Sequence, residues 1–353
     1  MRHQRFIAPL LPIAICLIIG IMTGYWLFLQ AELLLALMAV SVILSLLLHR
    51  FPNGQTFFIY LTTLLMGCWL IQHPLPDIPT VHAATSRMLS YRTHLVAELQ
   101  TLPDKPSAII SAMTLGDKSM LTKETREVFN ITGAGHILAL SGLHLGIIYM
   151  VLSLLIRNYR WRMVSQILTI LAIWAFAFLV GMTPSVVRAA TMLTVYGLLS
   201  LGYRQKMSIN VLSFTAIVML IIHPHALFEV SFQMSFLAVF AILVFYPILY
   251  GLISEQWLME HRVVRWLWGM TVVSLTAQIG VAPLIAFYFH RFSTYFLLSN
   301  FVVIPCAYLI LVGTLLYLLT HLSLIATFLS LIVDFMYQSL QWIASLPCAT
   351  IEF

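Results

Sequence analysis

Four stretches of the chain hold residues able to do chemistry, and each is set in apolar sequence. The first reads Thr132-Gly-Ala-Gly-His136-Ile-Leu-Ala-Leu-Ser141-Gly-Leu-His144-Leu-Gly146. It places His136, Ser141 and His144 at the start of an apolar run. Gly142 and Gly146 form a GxxxG pair, which admits a close helix neighbour. Two histidines eight residues apart do not make a metal site, and no third ligand stands near them. The second stretch centres on Arg188, one turn past Pro184. A mid-membrane arginine costs about 2.5–3.5 kcal/mol on insertion scales, so it snorkels to the outer interface or lines a polar cavity. The cavity is favoured, because no acid lies near in sequence; Glu229 and Asp334 are the distant partners to consider. The third stretch pairs Glu229 with Gln233 at i, i+4 on one helix face, with Ser231 and Ser235 on another. The fourth carries Gln278, Pro283, Asn300 and Pro305 in two long apolar runs. Broken helices with polar groups line substrate paths in transporters and channels.

Packing is the plain alternative for each stretch: interfacial histidines, snorkelling arginine, polar groups at loop junctions. The motifs of soluble catalysis are missing. There is no HExxH, no P-loop, no GxSxG and no Rossmann glycine run. No catalytic, cofactor or metal residue is assigned, and an ATP-driven pump would need its motor on another chain. Cys16, Cys68, Cys306 and Cys348 lie in or beside apolar runs and form no CxxC pair, so they read as small apolar fillers.

The elements that must hold these residues are membrane helices. The chain has 353 residues, 61% hydrophobic and 8% charged, with mean hydropathy +0.98. Globular domains carry about 25% charged residues, so lipid must cover much of this surface. The fold class is therefore all-α: a polytopic membrane bundle of about ten to eleven spans, some broken by Pro or Gly. The apolar runs fall at 6–29, 31–48, 56–72, 136–156, 162–182, 185–202, 208–222, 226–250, 264–288, 293–319 and 322–346. The first run is too long for a signal peptide and reads as an anchor.

Charge sets the orientation. The net charge of +6 would suggest nucleic acid in a soluble protein, but here it is mostly topology. With the N-terminus cytoplasmic, Arg2, Arg5, Arg50, Arg157, Arg160, Arg162, Arg204, Lys206, Arg262 and Arg265 all face inward. Arg291 is the one positive charge in the short outer loops, and the C-terminus lies outside. The polar gap 73–135 is then extracytoplasmic. It opens on a Pro-rich stretch that cannot be helix. An amphipathic helix follows, with Met88, Tyr91, Leu95, Leu99 and Leu102 on one face. Next come a short apolar helix from about Ser107, a turn at Gly116-Asp117-Lys118-Ser119, and a charged helix capped by Thr122. The expected division is N-terminal membrane helices over 1–83, extracytoplasmic helices over 84–135, and a membrane domain over 136–353.

Taken in order, the blocks resemble a known family. Gly-His-Ile-Leu-Ala-Leu-Ser-Gly-Leu-His-Leu-Gly, ending at Gly146, resembles the signature of the ComEC family, inner-membrane channels of natural competence. Leu115-Gly-Asp-Lys-Ser119 resembles its lead-in. The Pro184 to Met192 block, the His223 to Phe236 block and the Gln278 to Pro305 block resemble three further family blocks, in the family's order over 107–346. The resemblance implies transport of single-stranded DNA across the bacterial cytoplasmic membrane during transformation. It implies a competence-type channel domain over 136–353. It lends Ser141, His144, Arg188, Glu229, Gln233, Gln278 and Asn300 as candidate pore or gate positions. The implied partners are single-stranded DNA, membrane lipid, a cytoplasmic helicase or motor and a periplasmic DNA-binding receptor on separate chains; a homo-oligomer stays open.

Two departures stand out. Larger family members carry an OB-like β domain, for which 73–106 is too short and too Pro-broken. They often also end in a metallo-β-lactamase-like domain, whereas this chain has no HxHxDH cluster. Nuclease activity is therefore not expected, and the chain is expected to be a short member or a fragment. Two other readings compete with the channel. A small-molecule secondary transporter would show an inverted repeat, and none is evident. An intramembrane enzyme would bring His136, His144 and Glu229 together.

Overall fold

A computed structural model describes residues 8–27, 29–74, 79–155, 162–201 and 209–352. Six helices in it are long and apolar enough to cross a membrane, and four shorter apolar helices accompany them among the described residues. The protein is an all-α, membrane-embedded chain. Of the basic residues that set the orientation, Arg2, Arg5, Arg157, Arg160, Arg204 and Lys206 lie outside the described residues, as do 75–78 of the Pro-rich stretch.

The chain forms two compact units. The first holds α1 (Leu10–Trp26), α2 (Ala31–Leu47), α3 (Pro52–Gln72), α10 (Ile209–Ile222), a 3-10 turn (Pro224–Phe228) and the first residues of α11 (Val230–Tyr250). Gly20 and Gly24 on α1 meet Gly67 and Cys68 on α3 so closely that a Cβ on Gly20 would run into the Leu64 carbonyl. Small residues at this seam let two backbones touch, which is how helices associate where no hydrophobic effect drives them. Thr23 Oγ1 contacts Cys68 Sγ at 3.1 Å across it. Leu17, Ile21, Leu70 and Leu220 fill the core of this unit.

The second unit holds α4 (Pro79–Leu99), α5 (Asp104–Leu115), α6 (Lys123–Ile131), α7 (Gly142–Leu155), α8 (Arg162–Leu179) and α9 (Pro184–Leu201). It continues with the rest of α11, α12 (Glu255–Glu260), α13 (Arg262–Phe289), α14 (Phe296–Thr320) and α15 (Ser323–Ala344). Two short strands complete it, β1 (Arg291–Ser293) and β2 (Thr350–Glu352). They pair antiparallel, with Arg291 opposite Glu352 and Phe292 opposite Ile351. Three-residue strands are too short to show a period, so the sequence gives no sign of them.

Helix α5 is the centre of this unit. Every residue from Pro106 to Leu115 is buried, and Ile109, Ile110 and Met113 pack with Val303, Ile310, Val333 and Met336 of α14 and α15. A second core joins α7, α8 and α9 through Leu145, Ile173, Ala177, Val186 and Ala190. The local expectations for the polar gap hold in part. Thr122 caps α6, its Oγ1 accepting from Thr125 N–H at 3.1 Å. Pro79 stands first in α4, where its missing N–H costs nothing. The expected apolar face splits: Leu99 at the end of α4 and Leu102 beyond it are buried, whereas Met88 and Tyr91 are exposed.

The prolines behave differently from expectation. Pro247, Pro283 and Pro305 lie inside continuous helices. Neighbouring helices and local adjustments can absorb the freed carbonyls of a membrane helix. A break does fall where the apolar runs part at Pro184, between α8 and α9: Gly181 adopts φ 85° and Met182 φ 53° just before it.

Candidate functional site

The start of α7 gathers the first candidates. Gly133 takes φ 74°, a left-handed conformation that suits glycine, and ends the passage out of α6. A single 3-10 turn, Ala134–His136, follows, and the chain enters α7 at Gly142. His136 therefore precedes the membrane helix. Its ring is exposed, with Nδ1 2.9 Å from Gly133 O. Since a carbonyl can only accept, Nδ1 carries the proton there.

Ser141 is the N-cap residue of α7 and His144 its third residue. His144 is fully buried. Its Nδ1 accepts from Ser141 N–H at 3.3 Å and lies 3.1 Å from Ser141 Oγ. This is one half of a capping box, with histidine standing where Glu or Gln usually stands. The donated N–H fixes the tautomer: Nδ1 is bare, so neutral His144 carries its proton on Nε2. Nε2 is buried and has no hydrogen-bond partner among the described residues. The pair thus holds a donor aimed away from the helix cap. Nδ1 is shared between the Ser141 N–H and the closer Ser141 Oγ.

Arg188 lies in the first turns of α9 and is 2% exposed. The snorkelling alternative is therefore set aside: Arg188 is enclosed by protein. No ion pair joins it to Asp334 among the described residues. Next to it, Ala189 faces the start of α7; a Cβ on Gly142 would sit 3.6 Å from the Ala189 Cβ. Gly146, the other half of the expected pair, has nothing within 4 Å of such a Cβ. The close-approach reading of Gly142 and Gly146 is thus corrected; Gly20 and Gly24 do that work instead.

Glu229 and Gln233 belong to the first unit. Glu229 is extended, with ψ 127°, at the end of the 3-10 turn, so it stands ahead of α11 and does not share a helix face with Gln233. Glu229 is exposed, and Gln233 Nε2 donates back to Leu227 O at 2.9 Å. Gln278 and Asn300 belong to the second unit. Asn300 Nδ2 donates to Ser274 Oγ at 3.1 Å, joining α14 to α13 one turn from Gln278. Both amide residues are half-buried. Within the second unit the candidates fall at the α7 cap, on α9 packed beside it, and at a seam between α13 and α14; Glu229 and Gln233 fall at a turn in the first unit.

Sequence reading missed one cluster. Arg291 NH1 lies 2.9 Å from Glu127 Oε1, and its Nε lies 3.2 Å from Glu352 Oε1. One guanidinium thus ties α6, β1 and β2 together. The available signal was the lone outer-loop charge; its partners, 164 and 61 positions away, have no local signature. No group of three or more His, Cys, Asp or Glu is placed to hold a metal among the described residues.

Comparison with known proteins adds the following. The family described as "Competence protein" matches residues 113–353. The chain is 34% identical over 221 residues to ComE operon protein 3 of Bacillus subtilis (strain 168), covering 62% of this chain and 27% of that protein. It is 36% identical over 181 residues to an uncharacterized protein of Aquifex aeolicus (strain VF5), covering 51% and 40%. It is 26% identical over 257 residues to the uncharacterized protein YcaI of Escherichia coli (strain K12), covering 66% and 32%. The matches thus span 27% to 40% of these relatives' own lengths. No solved structure matches.

Proposed function

The chain belongs to the competence protein family, and from that premise we propose that it carries single-stranded DNA across the bacterial cytoplasmic membrane during natural transformation. The observation that carries this reading is the family match over 113–353, which includes the α7 cap, Arg188, Gln278 and Asn300. The similarity to ComE operon protein 3 supports it. In this reading the N-terminus is cytoplasmic, the C-terminus is extracytoplasmic, and residues 136–353 form the channel domain.

Physics asks for a wet path. A strand with one charge per nucleotide cannot enter hydrocarbon, and binding must be weak enough to allow release. Few polar groups spread over several helices suit that need better than a dense basic groove. Arg188 and His144 are enclosed, 2% and 0% exposed, so a strand reaches them only if the helices around them part. The motor and a periplasmic DNA-binding receptor act as separate chains.

Uptake is the test. The gene is deleted, and transformation is scored with single-stranded and double-stranded donor DNA as entry into the cytoplasm. Loss of entry that plasmid-borne gene restores is expected. Normal entry in the deletion strain refutes the assignment.

A further inference from the structure

Helix α15 presents three faces. Leu329, Val333, Met336 and Leu340 are fully buried against the core. Leu324, Leu331, Phe335 and Trp342 are 80%, 62%, 61% and 61% exposed, as lipid-facing residues are. Between these faces run Thr327, Ser330, Asp334, Gln338, Gln341 and Ser345, each half-buried or exposed. At 3.6 residues per turn these six fall within an arc of about 80°, and at 1.5 Å per residue they extend about 27 Å. That nearly equals the ~30 Å hydrocarbon core. A polar seam therefore runs the depth of a membrane helix, with one carboxylate at its middle.

Most of the seam satisfies itself. Thr327 Oγ1 donates to Ser323 O and Ser330 Oγ to Ala326 O, both at 3.1 Å. Ser345 Oγ donates to Trp342 O at 2.7 Å, and Gln341 Nε2 donates to Tyr337 OH at 3.3 Å. Asp334 and Gln338, one turn apart, have no hydrogen bond or ion pair among the described residues. An open groove of about 350 Å³ lies on the lipid-facing side of Gln338, lined also by Phe335, Trp342, Leu298 and Val302.

Lipid, a second copy of α15 and water would each meet this seam differently. Lipid tails cannot solvate a carboxylate or an amide. A second copy of α15 fits poorly. Membrane insertion gives two copies the same orientation, so seam against seam sets Asp334 against Asp334 at equal depth. Like carboxylates repel, and α15 carries no Lys or Arg to offset them. Water satisfies every group, and the lone carboxylate then draws cations. We infer that the seam lines a water-filled path through the membrane and that Asp334 is its cation-binding point, taking a proton or a small metal cation. This inference does not rest on the DNA-uptake reading, and a DNA-negative deletion result leaves it standing.

The test uses the full chain in native membranes, with Cys16, Cys68, Cys306 and Cys348 replaced by alanine. Single cysteines are placed at Ser330, Gln338, Leu331 and Phe335, and are challenged with impermeant thiol reagents, which react only with a hydrated thiolate. Ser330→Cys and Gln338→Cys label at least about tenfold faster than Leu331→Cys and Phe335→Cys. Ser330→Cys is nearly isosteric and keeps the test open if Gln338→Cys does not fold. Equal or slower labelling at the seam overturns the path. So does oxidative cross-linking between copies through Ser330→Cys, which would make the seam a subunit contact.

At Gln338→Cys a cationic reagent reacts faster than an anionic one of the same size, and Asp334→Asn abolishes that preference. An unchanged preference in Asp334→Asn overturns the role of Asp334. Lowering the pH at fixed salt removes the preference where a proton takes the site. Exchanging a bulky organic cation for sodium at constant pH and ionic strength reduces it where a metal cation does. If neither change moves it, the site binds no cation.

Discussion

His144 shows how much one ring can carry. Its two nitrogens sit in different surroundings, one at the helix cap and one buried without a partner among the described residues, and two substitutions tell them apart. Asparagine keeps an acceptor where Nδ1 stands and has no counterpart of Nε2–H. His144→Asn is expected to insert and melt like the parent yet lose transformation; parental transformation would reduce His144 to a helix cap. His144→Ala removes the cap as well and lowers stability by about 1 kcal/mol, read as a fall in Tm of the detergent-purified protein. Arg188→Ala is expected to insert normally and to lose uptake, scored by membrane abundance and transformation frequency together. Full uptake would make Arg188 a packing residue, despite its 2% exposure. The residue types and positions at both sites were legible in the sequence. The burial of Arg188 and the tautomer of His144 were not, because both depend on neighbours supplied by the fold.

At the scale of elements, identical motifs have different fates. Gly142 and Gly146 have the spacing of a packing pair, but a Cβ on Gly146 points into open space. Gly20 and Gly24 share that spacing and seat α1 on the backbone of α3. Gly20→Ala should therefore destabilise the protein by about 1–3 kcal/mol through forced separation of the two helices. Gly146→Ala should be neutral or stabilising by up to about 1 kcal/mol, since alanine is the better helix former. Thermal unfolding in detergent, followed by circular dichroism, ranks the two; the reverse order would refute the seam. Helix existence was readable from apolar runs, and the Thr122 cap from residue type. Spacing cannot say which face of a helix meets a neighbour, and proline in a helix need not break it when lipid leaves the backbone no other partner.

For the whole molecule, the expectation at stake is orientation. The positive-inside pattern places the loop after α2, with Arg50, and the α12–α13 junction, with Arg262 and Arg265, in the cytoplasm. Periplasmic phosphatase fused after Glu352 should then be active, and the same reporter fused after Arg50 inactive. The opposite pattern would invert the topology and move the α7 cap and the Arg291 cluster to the cytoplasmic side. Neither the two-unit division nor the enclosure of α5 by α14 and α15 could be read from hydropathy. α5 is a twelve-residue helix, too short to register as a span, and its partners lie about two hundred residues downstream or more.

By itself the sequence determined that this protein lives in a membrane, that it is helical, and which family its ordered polar blocks resemble. Each follows from composition, period or local order along one chain. Only the tertiary structure decided that Arg188 is enclosed, that His144 spends one nitrogen on a cap and keeps the other as a buried donor, and that Arg291 binds two distant acids. It also decided that the polar residues of α15 stay uncovered on one seam. The sequence shows their spacing, but only packing reveals which face of a helix the core claims and which it leaves for lipid or water.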